Sequence, residues 1–250
     1  MSSITLSLIV FACVFGGALV GLLVHSVLPQ HHLTSETKDI VKLGMGLVGT
    51  MAALVLGLLV ASAKGSYDAQ STEVTQLAAN VALLDRVLAR YGPETKDMRS
   101  FLRAAVIRAV DQMWPKGGAT EAAAPTAAGG EVFYEKIQEL SPKNETQRSL
   151  QSQAISLAMD IGKMRWLMYE QATSSVSLPL LIVLVVWLTA IFISFGLFAP
   201  FNGTVVSSLI IAALSVSGAV FLILEMYTPY AGFVQISNAP LRAAIALIGQ

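Results

Sequence analysis

The residues of this chain that could carry chemistry are few and lie apart. A glycine pattern, G-x-G-x-x-G, runs from Gly44 to Gly49. Such a pattern binds a dinucleotide when a strand precedes it and a helix follows it. Here it lies inside a long apolar run, so close packing between helices is the favoured interpretation.

Three histidines, His25, His31 and His32, lie close to the carboxylates of Glu36 and Asp39. Imidazole and carboxylate groups together could bind a metal, but adjacent histidines need not point the same way and no helix-borne ligand spacing is present. An ordinary polar loop is favoured, and neither a metal nor a cofactor is predicted. The sequence also contains no G-x-S-x-G, H-E-x-x-H or phosphate-loop motif, and an enzyme is not predicted.

Four long apolar segments determine the class of the protein. The chain is 54% hydrophobic and only 13% charged, and its formal net charge is zero, which gives no footprint for nucleic acid. A helix needs about 20 apolar residues to cross a bilayer. The runs that meet this length are Ile4–Leu28, Leu43–Ala63, Val176–Phe198 and Val205–Met226. The fold class is therefore all-α, with four transmembrane helices in two pairs.

The polar middle of the chain separates the two pairs. Residues 64–173 hold 13 of the 16 basic and 13 of the 16 acidic residues. An apolar seam with alternating spacings of three and four predicts a helical bundle, closed either within one chain or between subunits. Its first stretch is Val74, Leu77, Val81, Leu84, Leu88 and Tyr91, and Gly92-Pro93 stops it.

The boundaries predicted on this basis are residues 1–63 for helices one and two, 64–173 for the insertion, and 174–226 for helices three and four. Residues 116–130, rich in Ala, Gly, Pro and Thr, are predicted to be a flexible linker. Residues 227–250 are too short to span a bilayer and are predicted to lie at the membrane interface or to cap the bundle. Spans two and three are both expected to continue as long helices into the insertion.

The distribution of lysine and arginine predicts how the chain is oriented in the membrane. The side of the membrane that holds both termini and the insertion carries Lys64, Lys163, Arg165 and Arg242 near helix ends, and the other side carries only Lys38 and Lys42. The positive-inside rule therefore places the termini and the insertion in the cytoplasm of a multi-pass protein of the inner (plasma) membrane.

Small residues form two stripes that are predicted to let helices approach closely. The predicted packing face consists of Gly46, Thr50, Ala53, Gly57 and Ala61 on helix two, with Gly17 and Gly21, next to Cys13, on helix one. At the cytoplasmic ends of spans two and four, Lys64, Asp68 and Glu225 form either a charged mouth or ordinary interfacial side chains of little energetic weight.

Several stretches of the chain resemble a known family. The stretch from Leu54 to Gln70, which contains Lys64-Gly-Ser-Tyr-Asp68, is similar to the signature of bacterial bestrophin-like proteins, a family of unknown function. So are residues 221–232, with Glu225 and Pro229, and Ser237-Asn-Ala-Pro-Leu-Arg242. The two-plus-two layout also matches, so the resemblance covers nearly the whole chain.

The resemblance implies an activity. Bestrophins are pentameric anion channels whose pore is lined by the second transmembrane helix, which implies here a homo-oligomeric ion channel, with inorganic anions among the candidate ions. The bulky face of helix two would then form the constriction, through Val48, Met51, Val55 and Leu58. No acidic cluster matches the calcium clasp of bestrophins. The alternative is a non-conducting membrane scaffold or signalling protein that recruits partners through its cytoplasmic helices.

Overall fold

The computed structural model of the chain describes residues 2–29, 34–114, 127–173 and 177–249. Within these ranges the regular structure is helical. The α-helices in chain order are α1 (Ser3–Val27), α2 (Ser35–Tyr91), α3 (Lys96–Met113), α4 (Ala127–Gln138), α5 (Glu145–Thr173), α6 (Leu178–Phe198), α7 (Gly203–Met226) and α8 (Ala239–Leu247). Four of them, α1, α2, α6 and α7, are long and apolar enough to span a bilayer. The predicted all-α class with four membrane-length helices is confirmed.

The chain divides into two compact units. The first, here called the membrane unit, comprises Met1–Gly65 and Ser175–Tyr227. The second, here called the insertion unit, comprises Ser66–Ser174 and Thr228–Gln250. Helix α2 is continuous from Ser35 to Tyr91, as predicted for span two.

The expected continuity between the insertion and span three is wrong. Helix α5 ends at Thr173, and Ser177 has an extended backbone before α6 begins at Leu178. Pro179 lies in the first turn of α6, where its missing N–H costs nothing. Within a continuous helix the same proline would remove a backbone hydrogen bond and clash with the preceding turn, so a new helix starts here. The predicted linker also ends earlier than expected, because α4 begins at Ala127, while residues 116–126 lie outside the described residues.

Glycine allows α1 and α6 to touch backbone to backbone. A Cβ atom at Gly21 would overlap the carbonyl oxygen of Ile193, and one at Gly196 would overlap the carbonyl oxygen of Ala18. The two glycines therefore open reciprocal gaps in the same interface. Such close approach strengthens dispersion between helices, which matters because lipid supplies no hydrophobic drive for their association.

The rest of the membrane unit packs around this contact in two clusters. One joins α1, α6 and α7, with Val14, Ala18, Leu181, Phe192, Ala213 and Val220 among its buried members. The other places α2 against α6 and α7, through Ala52, Leu59, Ala63, Leu184, Ile191 and Ile223.

The core of the insertion unit is closed within one chain. All six residues of the predicted α2 seam, from Val74 to Tyr91, are buried. Five of the six, all but Tyr91, pack in one cluster with Met98 and Leu102 of α3, Ala154 and Met168 of α5, and Leu241, Ala244 and Ile248 at the C-terminal end. The seam is therefore filled by the chain's own helices rather than left for a neighbouring subunit.

A turn between α2 and α3 brings an ion pair into this core. Gly92 has a φ of 149°, which a residue with a side chain rarely adopts, and α2 ends directly before it. The turn returns the chain so that Arg99 donates two hydrogen bonds to Asp85, from Nε at 2.8 Å and from Nη2 at 2.9 Å. Asp85 is buried, and its hydrogen bonds with Arg99 are the main cause that raises the pKa of the guanidinium.

Gly21→Ala is expected to destabilise the membrane unit by about 1–3 kcal/mol, because the added methyl group forces two backbones apart. Gly16→Ala is the matched control on the same helix, since a Cβ there meets no described atom within 4 Å. The control is expected to leave stability unchanged or to raise it slightly. Thermal unfolding of the detergent-solubilised protein measures both, and equal midpoints for the two variants would contradict the proposed contact.

Asp85→Ala is expected to cost roughly 3 kcal/mol of unfolding free energy, because it leaves a largely buried guanidinium without its carboxylate. A double variant, Asp85→Leu with Arg99→Met, is expected to lose less than the single one. Glu145→Ala is the control, since its pair with Arg148 is exposed and contributes little. Denaturant unfolding measures the loss of unfolding free energy in all three variants. An Asp85→Ala loss as small as the Glu145→Ala loss would contradict the stabilising role of the buried ion pair.

Candidate functional site

Helix α2 is the least covered of the four membrane-length helices. Of its most hydrophobic 18-residue stretch, 11% is buried, compared with 33% for α1, 33% for α6 and 28% for α7. Its covered face consists of Ala52, Leu59 and Ala63, which lie one or two turns apart along one side. Partly covered residues beside this face are Met45, Val48, Val55 and Leu56. Most of the remaining surface of the apolar stretch has no counterpart within the described membrane unit.

The structure divides the four predicted constriction residues into two groups. Val48 and Val55 are half-buried and pack against the cluster that α2 forms with α6 and α7. Met51 and Leu58, in contrast, are 46% and 60% exposed. The two exposed side chains are seven residues apart, which is two turns of helix, and so lie on the same side of α2.

The predicted packing face of α2 lies on another uncovered side. Gly46, Thr50, Ala53, Gly57 and Ala61 are all exposed. A Cβ atom at Gly46 or Gly57 would meet no described atom within 4 Å. The matching stripe on α1 behaves differently, because Gly17 and Gly21 are buried against α6. Two similar stripes of small residues therefore have different surroundings, one filled within the chain and one open.

The three charged residues of the predicted mouth have different environments. Glu225 is only 3% exposed at the end of α7, whereas Lys64 is exposed on α2, and both belong to the membrane unit. Asp68 is exposed and belongs to the insertion unit. Each of the three interacts with other groups of the protein. A buried carboxylate needs such partners, since an isolated charge away from water is costly.

A link between α2 and the end of α7 was missed by the sequence analysis. The hydroxyl groups of Ser62 and Tyr227 lie 3.1 Å apart and form a hydrogen bond. Tyr227 follows Glu225 by two residues, so this bond holds the segment that carries the buried carboxylate against α2. Ser62 belongs to no periodic pattern, and only its place within the family-like stretch before Lys64 could have drawn attention to it.

No metal or nucleotide site is found in the described part of the chain. No group of three or more His, Cys, Asp or Glu residues is positioned to hold an ion there. His25 instead forms a 2.8 Å hydrogen bond through Nδ1 with the carbonyl oxygen of Leu197. His31 and His32 lie outside the described residues. The glycine pattern from Gly44 to Gly49 lies entirely within α2, without the strand that a dinucleotide site requires.

The uncovered side of α2 is apolar, and an apolar surface has a known use in channels. An apolar constriction can block ions when it dries and pass them when it widens and wets. The exposed side of α2 at Met51 and Leu58 offers such a surface. One chain does not surround it, so a pore here needs further copies of the chain.

Comparisons with known proteins agree on one relationship. A protein-family model described as a bestrophin-like domain matches residues 12–241. Among solved structures, the chain is similar to a bacterial bestrophin homolog from Klebsiella pneumoniae that carries a mutation, W252A. The TM-score is 0.71 at 14% identity, over 99% of this chain and 97% of that one, which establishes a shared fold. The comparison with curated proteins found no match.

Proposed function

The chain belongs to the bestrophin-like family, and from this premise we propose that it is a homo-oligomeric ion channel whose pore is lined by α2. Bestrophins are anion channels, so inorganic anions such as chloride are the first ions to test. The protein would reside in the inner (plasma) membrane, with both termini and the insertion unit in the cytoplasm.

The observation that carries this proposal is the low coverage of α2. A helix that its own chain buries to only 11%, against 28–33% for the other three, must meet lipid, another subunit or a pore along most of its surface. Lipid alone does not account for the stripe of small residues, because lipid chains gain nothing from a glycine surface. Contact with neighbouring copies does, since small residues let helices approach.

The two uncovered sides of α2 suggest a division of roles. We assign the small side, with Gly46, Ala53 and Gly57, to contact with the neighbouring subunit. The bulky side, with Met51 and Leu58, then faces the central axis and forms the constriction. Val48 and Val55 flank this constriction and position it by packing on α6 and α7. Lys64, which is exposed on α2, supplies charge at the cytoplasmic end of the path.

The alternative function, a membrane scaffold, is favoured by a different surface. Met159, Trp166 and Leu167 on α5 are exposed apolar side chains of the insertion unit. Apolar residues exposed on a polar unit are typical of contact surfaces for other proteins. A scaffold requires this surface but not a conducting path, so a measurement of ion flux separates the two functions.

Cysteine substitution in liposomes tests the pore. Cys13 is the only native cysteine, so Cys13→Ser provides a background without thiols. In that background, a charged thiosulfonate reagent is expected to abolish most of the chloride flux through Met51→Cys and Leu58→Cys, because a pore-lining thiol meets water and ionises. Leu214→Cys on α7 is the control, being comparably exposed and outside the cluster that α2 forms with α6 and α7.

Chloride and potassium gradients are applied separately, so that the same experiment reports selectivity. Flux that is unaffected by the reagent at both Met51→Cys and Leu58→Cys would remove α2 from the pore. A stable oligomer that conducts neither ion at any voltage, pH or calcium concentration would favour the scaffold.

Gly57→Leu is expected to reduce the mass of the detergent-solubilised complex, because a bulky side chain on the small face holds neighbouring subunits apart. Gly218→Leu on α7 is the matched control, since a Cβ there also meets no described atom within 4 Å. Light scattering coupled to size-exclusion chromatography measures the mass. An unchanged oligomer in Gly57→Leu would move the subunit contact to another face.

A further inference from the structure

The insertion unit contains a cavity that the proposed channel activity does not use. Its volume is about 150 Å³, and it lies among α2, α3, α4 and α5, with Leu241 of α8 at one wall. Leucine, valine, isoleucine and phenylalanine side chains provide most of its lining, including Leu84 and Phe133. An apolar cavity of roughly this volume is large enough for a benzene ring.

Missing side chains, rather than irregular helices, create the space. Gly162 of α5 and Gly130 of α4 line the cavity, and a Cβ atom at either position would meet no described atom within 4 Å. Alanines face the same space from α3 and α5, at Ala105, Ala109 and Ala158. The cavity is partly open to the surface, since Gly130 and Arg108 are exposed, so a ligand can enter the space that the two glycines and three alanines leave.

The charged groups of the lining all have the same sign. Arg108 and Arg165 line the cavity together with the amide of Gln112, and no carboxylate is among the lining residues. The guanidinium of Arg108 also faces the ring of Phe101, 6.0 Å from its centroid. The cavity therefore combines an apolar interior with cationic, planar hydrogen-bond donors at its wall.

Of the two arginines, Arg165 is the less exposed. It is only partly exposed, and burial lowers the pKa of its guanidinium. Asp85 supplies a bidentate partner for Arg99 in the same unit, but no ion pair or hydrogen bond joins Arg165 to another described residue. The fork of donors on Arg165 matches an anion with two coplanar oxygen atoms, and a partly desolvated guanidinium gains more from such a partner than a fully exposed one does.

We propose that this cavity binds a small apolar monocarboxylate, with a benzene-sized ring or short alkyl chain in the void and the carboxylate on Arg165. Arg108, which also lines the cavity, contributes a second positive charge. Each half of the site accounts for one half of the ligand: the glycine and alanine lining accepts the apolar body, and the arginines select the anion. A neutral ring would leave the guanidinium without a partner, and an inorganic anion would leave the void empty.

Binding of 4-fluorobenzoate to the full-length protein in nanodiscs, followed by fluorine NMR, tests the site. Saturable binding is expected, above the level of empty nanodiscs. 4-Fluorobenzyl alcohol, which keeps the ring but lacks the charge, is expected to bind about tenfold or more weakly, as the loss of a charge-assisted hydrogen bond implies. Inorganic phosphate is not expected to compete at equal concentration.

Two variants separate the halves of the site. Gly162→Leu fills the void and is expected to abolish binding of 4-fluorobenzoate, while Ser156→Leu, an exposed position on the same helix, preserves it. Arg165→Gln is expected to weaken 4-fluorobenzoate about tenfold or more without affecting 4-fluorobenzyl alcohol, while Arg86→Gln, at an exposed arginine, has no effect. Arg165→Gln removes the charge without filling the void, so its result does not depend on how Gly162→Leu folds.

Three results would overturn the proposal. The first is the absence of saturable binding, which would mean that the cavity is closed by the chain itself or is not accessible. The second is equal affinity for the acid and the alcohol, which would make the site a neutral apolar cavity. The third is binding that survives both Gly162→Leu and Arg165→Gln, which would place the ligand elsewhere on the protein or in the lipid.

Discussion

The backbone contact between α1 and α6 determines how the membrane unit can be used. Gly21 and Gly196 let the backbones of these two helices touch, so no third helix lies between them at this point. Helix α7 completes the cluster around α1 and α6, and α2 is added through one face only, at Ala52, Leu59 and Ala63. A tight three-helix core thus leaves the fourth helix with most of its surface uncovered, which is the property that the proposed pore requires.

In the insertion unit, the same helix α2 is covered rather than exposed on its apolar side. There the apolar side of α2 is fully covered, because the seam from Val74 to Tyr91 meets α3, α5 and the C-terminal segment of its own chain. The buried pair of Asp85 and Arg99 fixes how α3 lies on α2, since two hydrogen bonds from one planar group allow little rotation or sliding. This seam is therefore not available to join subunits, and contacts between copies have to use other surfaces, such as the small face of α2.

Much of this could be predicted from the sequence, and the exceptions have physical reasons. Apolar length identified the four spans, and the spacing of three and four identified the seam with its end at Gly92. The division of Val48 and Val55 from Met51 and Leu58 could not be predicted, because a span that is apolar all round has no polar side to report its orientation. The link from Ser62 to Tyr227 joins residues far apart in sequence, and the cavity depends on side chains that glycine and alanine lack, so neither produces a sequence pattern.

The two stripes of small residues are alike in sequence but differ in what surrounds them. Glycine costs a helix about 1 kcal/mol relative to alanine in water, so a row of small residues repeated along one face, unlike a single open glycine such as Gly16 or Gly218, suggests a compensating contact. At Gly21 that contact is the backbone of α6. At Gly46 and Gly57 no described part of the chain provides it, although these residues repeat along one side of α2 as regularly as Gly17 and Gly21 do along α1. Under the proposed function, the partner of this stripe is another copy of the chain, and the exposed side at Met51 and Leu58 then faces the axis that the copies share.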